Sequence, residues 1–420
     1  MADLPPGWTT TSLGNCATWF SGGTPSTSVK EYWNGDIPWI TASSLHDFYI
    51  RDSERKVTDL GVQNGTRLMP ENTIIFVVRG MSLKSEFRVG IARRPVTFGQ
   101  DCKAIVAREG VDPLFLANAL RASKQSVLRL VSEASHGTGR LETEPLKRLE
   151  IALPPLPIQR RIAEILGRLD DKIEVNRRIN RTLEQIAQAL YQHWFVDFGP
   201  FQDGEFVESE LGPIPKGWEV KPLDQIATYL NGLALQKYSP EGNDFLPVIK
   251  IAEMRRGITE ATGRASTKIE RKFIVEDGDV LFSWSGTLEV CLWCGGRGAL
   301  NQHLFKVTSE HFPKWFYYYA TKYHLPRFQE IAANKVTTMG HIQRYHLAEA
   351  KVPVPPQQIF DRFDRKMSPI LAEQINNELE NRKLAEIRDY LLPKLLSGAI
   401  SVEAGVEQAA EATHQQLSGR

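Results

Sequence analysis

Cysteine is scarce in this chain: Cys16, Cys102, Cys291 and Cys294 are the full complement of 420 residues. Four thiols at these spacings make no disulfide framework. Cys291-Leu-Trp-Cys294 has the spacing of a zinc or redox pair, but it has no second pair and its flanks are apolar. A structural zinc site wants four ligands. Buried strand cysteines are the expected reading, and no metal or cofactor is assigned. No apolar run approaches membrane length, and Met1-Ala-Asp-Leu-Pro-Pro-Gly lacks the apolar core of a secretory signal, so a cytoplasmic protein is expected. A surplus of one charge is missing too: 51 basic residues face 50 acidic ones, a formal net charge of +1. That balance leaves nucleic acid open, because affinity follows local positive surface and not the total. It points to modest binding by this chain alone and reliance on a partner. Enzyme signatures are absent: there is no P-loop, nucleophile elbow, zinc-protease motif or glycine-rich nucleotide fingerprint. The Asn/Asp-Pro-Pro-aromatic motif that a methyltransferase needs is absent as well, since the Pro-Pro pairs follow Leu153 and Val354.

What the chain does have is a repeat. Gly7-Trp8 returns as Gly217-Trp218, Ile37-Pro-Trp-Ile40 as Leu246-Pro-Val-Ile249, Arg79-Gly80 as Ser285-Gly286, and Leu153-Pro-Pro155 as Val354-Pro-Pro356. The length also exceeds what one core usually serves, so two or more domains are expected. In the first copy, residues 73–78, 87–96, 101–107 and 146–153 read as strands and residues 113–126 as a helix. The second copy answers with a strand at 280–282 and an aromatic-rich helix at 312–323, whose run Trp315–Tyr319 suits a core face better than base stacking.

Each copy ends in a long helix. In the first, Ile162, Leu166, Leu169, Ile173, Asn176, Asn180, Leu183, Ala187, Leu190 and Trp194 alternate four and three residues apart, as in a coiled-coil seam. In the second, Ile375, Leu379, Leu384, Ile387 and Leu391 supply the apolar side, and Asn377 and Asn381 repeat the seam asparagines. The two helices are therefore expected to pair, with the asparagines setting register or direction. The bland alternative is an amphipathic helix lying on a globular core. The expected plan is α+β: two duplicated mixed α/β domains (1–155 and 217–355), two long helical segments (156–198 and 356–400), a linker (199–216) and a disordered tail (401–420), related by a pseudo-two-fold.

Several motifs occur in a fixed order. They are Gly22-Gly-Thr-Pro25 before Tyr32-Trp-Asn-Gly-Asp-Ile-Pro-Trp-Ile40, Pro154-Pro-Leu-Pro-Ile-Gln-Arg-Arg-Ile-Ala163, Trp194-Phe-Val-Asp-Phe198, Gly278-Asp-Val-Leu281 before Ser285-Gly286, and Leu391-Leu-Pro-Lys-Leu-Leu-Ser-Gly-Ala-Ile400. Over about residues 7 to 400 the chain resembles the specificity subunit of bacterial and archaeal Type I restriction-modification enzymes. The resemblance implies two target recognition domains, each reading half of a split double-stranded DNA target. It implies long helices packed antiparallel as a ruler and no chemistry in this chain. It further implies two bound methyltransferase (modification) subunits, which restriction subunits can join. There are departures. Ile158 precedes Gln159 where an acidic residue is common, Ser285-Gly286 replaces Arg79-Gly80, and Asn231-Gly-Leu-Ala234 replaces the Gly-Gly-Thr-Pro turn. They leave open which residues reach the bases. A non-enzymatic scaffold with peptide-binding domains is the alternative, and salt-sensitive, sequence-selective duplex binding separates the two.

Duplex recognition needs cations for phosphates and amide, hydroxyl or guanidinium groups for base edges. In the first domain Arg79, Ser82, Lys84 and Arg88 follow an apolar strand into a turn, and His136, Thr138 and Arg140 form a second loop. Arg79 or Arg140 is the expected bidentate guanine contact. In the second domain Ser285 and Thr287 match the first turn, and Arg297, Asn301, Gln302 and His303 follow it. Lys335, Thr337, Thr338, His341 and Gln343 form the second loop, and Arg255, Arg256 and Lys268 are expected phosphate contacts. The bland reading of each is a solvated residue or a polar turn. Unlike loops on a repeated fold imply an asymmetric target, with helix length setting the spacing of its halves.

Overall fold

The computed structural model describes residues 4–133, 137–240, 242–334 and 340–414. The chain divides into two compact units, residues 1–172 with 384–420 and residues 173–383. The strands of the first are β1 (Thr9–Ser12), β2 (Ala17–Ser21), β3 (Trp33–Ile40), β4 (Tyr49–Ile50), β5 (Lys56–Val57), β6 (Ile74–Val77), β7 (Arg79–Gly80), β8 (Val89–Ala92), β9 (Thr97–Phe98), β10 (Cys102–Ala107), β11 (Val131–Glu133), β12 (Gly139–Leu141) and β13 (Glu150–Leu153). The main sheet runs β2-β10-β6-β8-β4. All four residues of β6 are buried, as a continuous run of Ile, Ile, Phe and Val in mid-sheet requires. A smaller sheet runs β5-β3-β9, and β1 pairs with β13. Helix α1 (Pro113–Ala122) starts at a built cap, where the Phe115 amide donates to Asp112 Oδ1 at 2.9 Å and Pro113 takes the first turn. Residues 146–153, expected as one strand, are divided. Thr143–Lys147 forms a short helix with Leu146 buried, and only Glu150–Leu153 pairs as strand.

The second unit holds β14 (Phe206–Ser209), β15 (Gly212–Pro215), β16 (Glu219–Pro222), β17 (Thr228–Asn231), β18 (Leu246–Ile249), β19 (Arg264–Ala265), β20 (Ile274–Val275), β21 (Val280–Ser283), β22 (Glu289–Leu292), β23 (Gly298–Leu300), β24 (Leu304–Thr308) and β25 (Lys351–Val354). Its main sheet runs β17-β24-β21-β22, which matches β2-β10-β6-β8 strand for strand. The parallel pair β18–β23 matches β3–β9, and β16–β25 matches β1–β13. The segment read as a linker carries the β14–β15 hairpin.

The long helices are α2 (Leu156–Phe195) and, beyond α3 (Lys314–Ala333), α4 (Gln357–Ser397). Each of α2 and α4 contributes residues to both units. In the second unit their partners run in opposite chain directions. Asn176 Nδ2 donates to Glu380 at 2.7 Å, Asn377 Nδ2 to Asn180 Oδ1 at 2.9 Å, and Gln374 Nε2 to Glu184 at 3.1 Å. The rings of Trp194 and Phe363 stack at 4.0 Å. Around them lies an aromatic core in which α3 buries Trp315, Phe316, Tyr317, Tyr318 and Tyr319, so that run packs and does not face solvent. Of the seam residues expected on α2, Ile162, Leu166, Leu169, Ile173, Asn176 and Ala187 are buried, while Asn180, Leu183 and Leu190 are half-buried. On α4 the buried row is Met367, Leu371, Gln374, Asn377, Asn381, Leu384, Leu391 and Leu395. Ile375, Leu379 and Ile387 flank that row half-buried. The residues expected as a disordered tail include a helix, α5 (Val402–His414).

In the first unit Asp170 of α2 lies between two guanidinium groups. Arg121 of α1 is 3.0 Å away and Arg388 of α4 is 2.8 Å away. Only 6% of the Asp170 side chain is exposed. Removing the carboxylate leaves the largely buried Arg121 without its partner and beside Arg388, which among the described residues keeps only the exposed Asp389 at 2.8 Å. Asp170→Ala is therefore expected to cost about 3 to 5 kcal/mol, read as a lower urea midpoint. Lys216→Ala, which breaks an exposed pair with Glu205, serves as the control and should shift stability by less than about 1 kcal/mol. Equal midpoints for the two variants would contradict the role given to Asp170.

Candidate nucleic-acid interface

Past β6 and β21 the chain turns across the end of each main sheet. In the first half β7 pairs with β12, placing Arg79 opposite Arg140 and Gly80 opposite Gly139. The Leu141 amide donates to the Val78 carbonyl at 2.9 Å, and the Val78 amide donates to that of Asp101 at 2.9 Å. In the second half Ser285 bridges to His341. The Ile342 amide donates to the Trp284 carbonyl at 3.0 Å, and the Trp284 amide to that of His303 at 3.3 Å. Matching segments therefore converge in each half: 78–84, 100–101 and 139–141 in one, and 284–287, 301–303 and 340–343 in the other.

A fourth segment joins each. The Gly23 amide donates to Phe98 O at 3.0 Å and the Leu233 amide to Leu300 O at 2.9 Å. A Cβ on Gly22 would lie 2.4 Å from Gly99 O, and one on Gly232 would lie 2.2 Å from Asn301 O. Only glycine allows that approach, so Asn231-Gly-Leu-Ala234 fills the place of Gly22-Gly-Thr-Pro25.

The side chains on these frames differ. In the first half Arg79 is exposed and makes no ion pair among the described residues. Arg140 is exposed beside Glu142 at 2.9 Å, and Lys84 is exposed beside Glu133 of β11. Exposed pairs of this kind are screened by solvent and contribute little, so both cations can exchange partners. Ser82 and Thr138 are half-buried in the same turns. Arg88 stands apart, because its guanidinium donates to Glu86 at 2.8 Å and to the Ala42 carbonyl at 3.1 Å. That fixes it against the sheet flank. His136, Lys335, Thr337 and Thr338 lie outside the described residues.

In the second half the buried Ser285 hydroxyl is 2.9 Å from His303 Nδ1, and Gln302 Nε2 is 3.4 Å from His303 Nε2. The Trp284 ring has His303 at 6.0 Å and His341 at 6.4 Å, and its indole N–H donates to Asn231 at 2.9 Å. Asn301 is buried and accepts the His303 amide, so it supports the turn and does not face solvent. Thr287, Gln343, Arg255 and Arg256 are exposed, with Arg255 2.8 Å from Glu289 at the start of β22. Arg297 is not brought to this surface. Lys268 follows edge strand β19, and Arg297 lies past the end of β22 remote from the 284–288 turn. Cys291 and Cys294 lie toward that remote end, and burial pushes both thiols up to about 12, so they stay protonated near neutrality.

The structure adds Thr24, Gln100, Asp101 and Arg344. The Thr24 hydroxyl donates to Gln100 Oε1. Gly99-Gln-Asp101 occupies the place of Asn301-Gln-His303, and the shared glutamine was the available signal. Arg344 is exposed next to Gln343, with its guanidinium 5.6 Å from the Phe305 ring.

The profile described as the Type I restriction modification DNA specificity domain matches residues 5–185 and 215–389, one match to each half. This chain belongs to that specificity family. It is 31% identical over 420 residues to the Type I restriction enzyme MjaIX specificity subunit of Methanocaldococcus jannaschii, covering 95% of each chain. It is 25% identical over 339 residues to the HindI specificity subunit of Haemophilus influenzae, covering 65% of this chain and 74% of that one. The crystal structure of a Type I restriction-modification S subunit from M. genitalium superposes with a TM-score of 0.51 at 17% identity, covering 94% of this chain and 97% of that one, which shows a shared fold. As a specificity subunit the chain supplies sequence-specific DNA recognition and directs methylation and restriction by partner subunits, without catalysing either. Among its described residues no helix is long and apolar enough to cross a membrane.

Proposed function

We propose that this specificity subunit reads a bipartite, asymmetric double-stranded DNA target, one half with each ridge of converging segments. The observation that carries this reading is the pair of matching ridges with unlike side chains: Arg79 opposite Arg140 in one, Ser285 opposite His341 in the other. Equal frames give both heads the same way of meeting a duplex, and unequal side chains give them different base preferences. Arg79, Arg140 and Lys84 serve the first half-target. His303, His341, Gln302 and Thr287 serve the second, with Arg255 and Arg256 on phosphates. Helices α2 and α4 form an antiparallel coiled coil with pseudo-two-fold symmetry that holds the readers at a set distance. The opposed contacts of Asn176, Asn180 and Trp194 support that pairing.

The partners are two methyltransferase subunits, which restriction subunits join, in the cytoplasm. Val175, Ile179 and Ile186 support a docking face on α2. They recur at four- and seven-residue steps and are 45%, 40% and 44% exposed, a stripe suited to a partner helix.

Arg79→Ala in the assembled complex tests the first ridge. Loss of a bidentate guanine contact is expected to cost about 1 to 3 kcal/mol of discrimination at one base pair of one half-target, measured by competition between single-substituted duplexes. An unchanged preference at every position would count against the ridge as the reading surface.

A further inference from the structure

The ridge of the first half carries a side chain whose exposure its fold does not require. Met81 follows Gly80 and opens the turn Met81–Lys84. It is 79% exposed, the highest value among the large hydrophobic side chains described. In the same turn Leu83 is fully buried and anchors the backbone, so the turn itself holds Met81 outward. Its neighbours along the ridge are cations: Arg79 two residues before it, Arg140 across the strand pair, and Lys84 at the end of the turn. A thioether among three exposed cations gains nothing from the folded chain. It sits where a polyanion would be drawn in on either side.

The other half has a counterpart. Arg79-Gly80-Met81 matches Ser285-Gly286-Thr287, and Thr287 is exposed as well. Both positions thus present a methyl-bearing side chain beyond the glycine. In the major groove the 5-methyl of thymine is the one apolar mark on a base edge, and aliphatic side chains read it by contact. Methionine is unbranched and flexible enough to reach such a target. We propose that Met81 contacts the 5-methyl group of a thymine in the first half-target and so fixes one base of the recognised sequence. This rests on the assignment of the Arg79 ridge to the duplex.

The test uses the complex of this chain with its methyltransferase partner and duplexes in which each thymine of the first half-target is replaced singly by deoxyuridine. One replacement is expected to weaken the wild-type complex about 3- to 5-fold, the effect of one methyl group removed from contact. Met81→Ala should bind the thymine duplex more weakly and lose the difference between thymine and deoxyuridine at that position. Unfolding midpoints equal to wild type would confirm that this exposed substitution spares the fold. A first half-target without thymine would overturn the proposal, as would a deoxyuridine effect that survives in Met81→Ala. So would a Met81→Ala defect equal on both duplexes and accompanied by loss of 2-aminopurine unstacking, which marks a wedge between base steps instead. Failure of the wild-type complex to prefer its own target over random duplex would strike at duplex reading itself, a result distinct from all of these.

Discussion

Replacing residues 211–355 with those of a relative of different target is expected to change one half of the methylated motif completely and leave the other half and the spacer as they were. The segment contains β16 to β25 and α3, hence the whole Ser285–His341 ridge and none of the Arg79–Arg140 ridge. Its attachment to the long helices is a shared aromatic core, in which Phe195 of α2 and Phe360 of α4 meet Trp315 and Phe316, together with a few polar contacts. Trp315 donates to Asp364 of α4 at 2.8 Å, Tyr319 donates to Glu184 of α2 at 3.0 Å, and Lys322 pairs with the same carboxylate. A donor that keeps tryptophan, tyrosine and lysine there, and the aromatic residues at Trp218 and Phe316 that pack on Phe195 and Phe360, should dock unchanged, so a new motif reports reading and not misfolding. Specific sites are typically at least 10³-fold tighter than random duplex, which makes a switch of half-target all-or-none in practice. Change in both halves would contradict independent readers.

Lengthening both long helices by one heptad is expected to lengthen the spacer between the half-targets without altering either half. The natural insertion points follow Lys172 and Lys383, where the compact units divide. Contacts on both sides then persist: Asp170 with Arg388, and Asn176 with Glu380. Seven residues preserve the a/d phase and add roughly 10 Å. At 3.4 Å per base pair that corresponds to about three base pairs. An unchanged spacer would reject the helices as the element that sets separation.

Much of this architecture is legible in the sequence where physics acts locally. Ile74–Val77 reads as a central strand because every residue in it is apolar, and Pro113 reads as a helix start because proline suits the first turn. The α2 seam is legible because only its asparagines interrupt the apolar spacing. The α4 seam is legible only in part: Asn377, Asn381, Leu384 and Leu391 stand in the sequence pattern and are buried, but the polar Gln374 hides its own buried place and leaves Ile375, Leu379 and Ile387 as the more visible positions. Asn180 and Asn377 satisfy each other across the helix pair, whereas both amide atoms of Asn381 are buried without a hydrogen-bond partner among the described residues, and composition cannot show a partner almost two hundred residues away. The ridges illustrate the same limit. Their loops stand out by glycine and charge, as does Asn301-Gln-His303 in the second half, but its counterpart at Gln100-Asp101 is placed by the backbone hydrogen bond from Val78 to Asp101, which no composition shows. Arg88 resembled a free cation until Glu86 and Ala42 were seen to hold it.

The most direct measurement is methylation-site sequencing in cells carrying this chain with its cognate methyltransferase. Two unlike readers at a fixed separation predict a single motif made of two different half-sites with an invariant gap of unread base pairs. A continuous or palindromic motif, or half-sites at variable distance, would contradict the account.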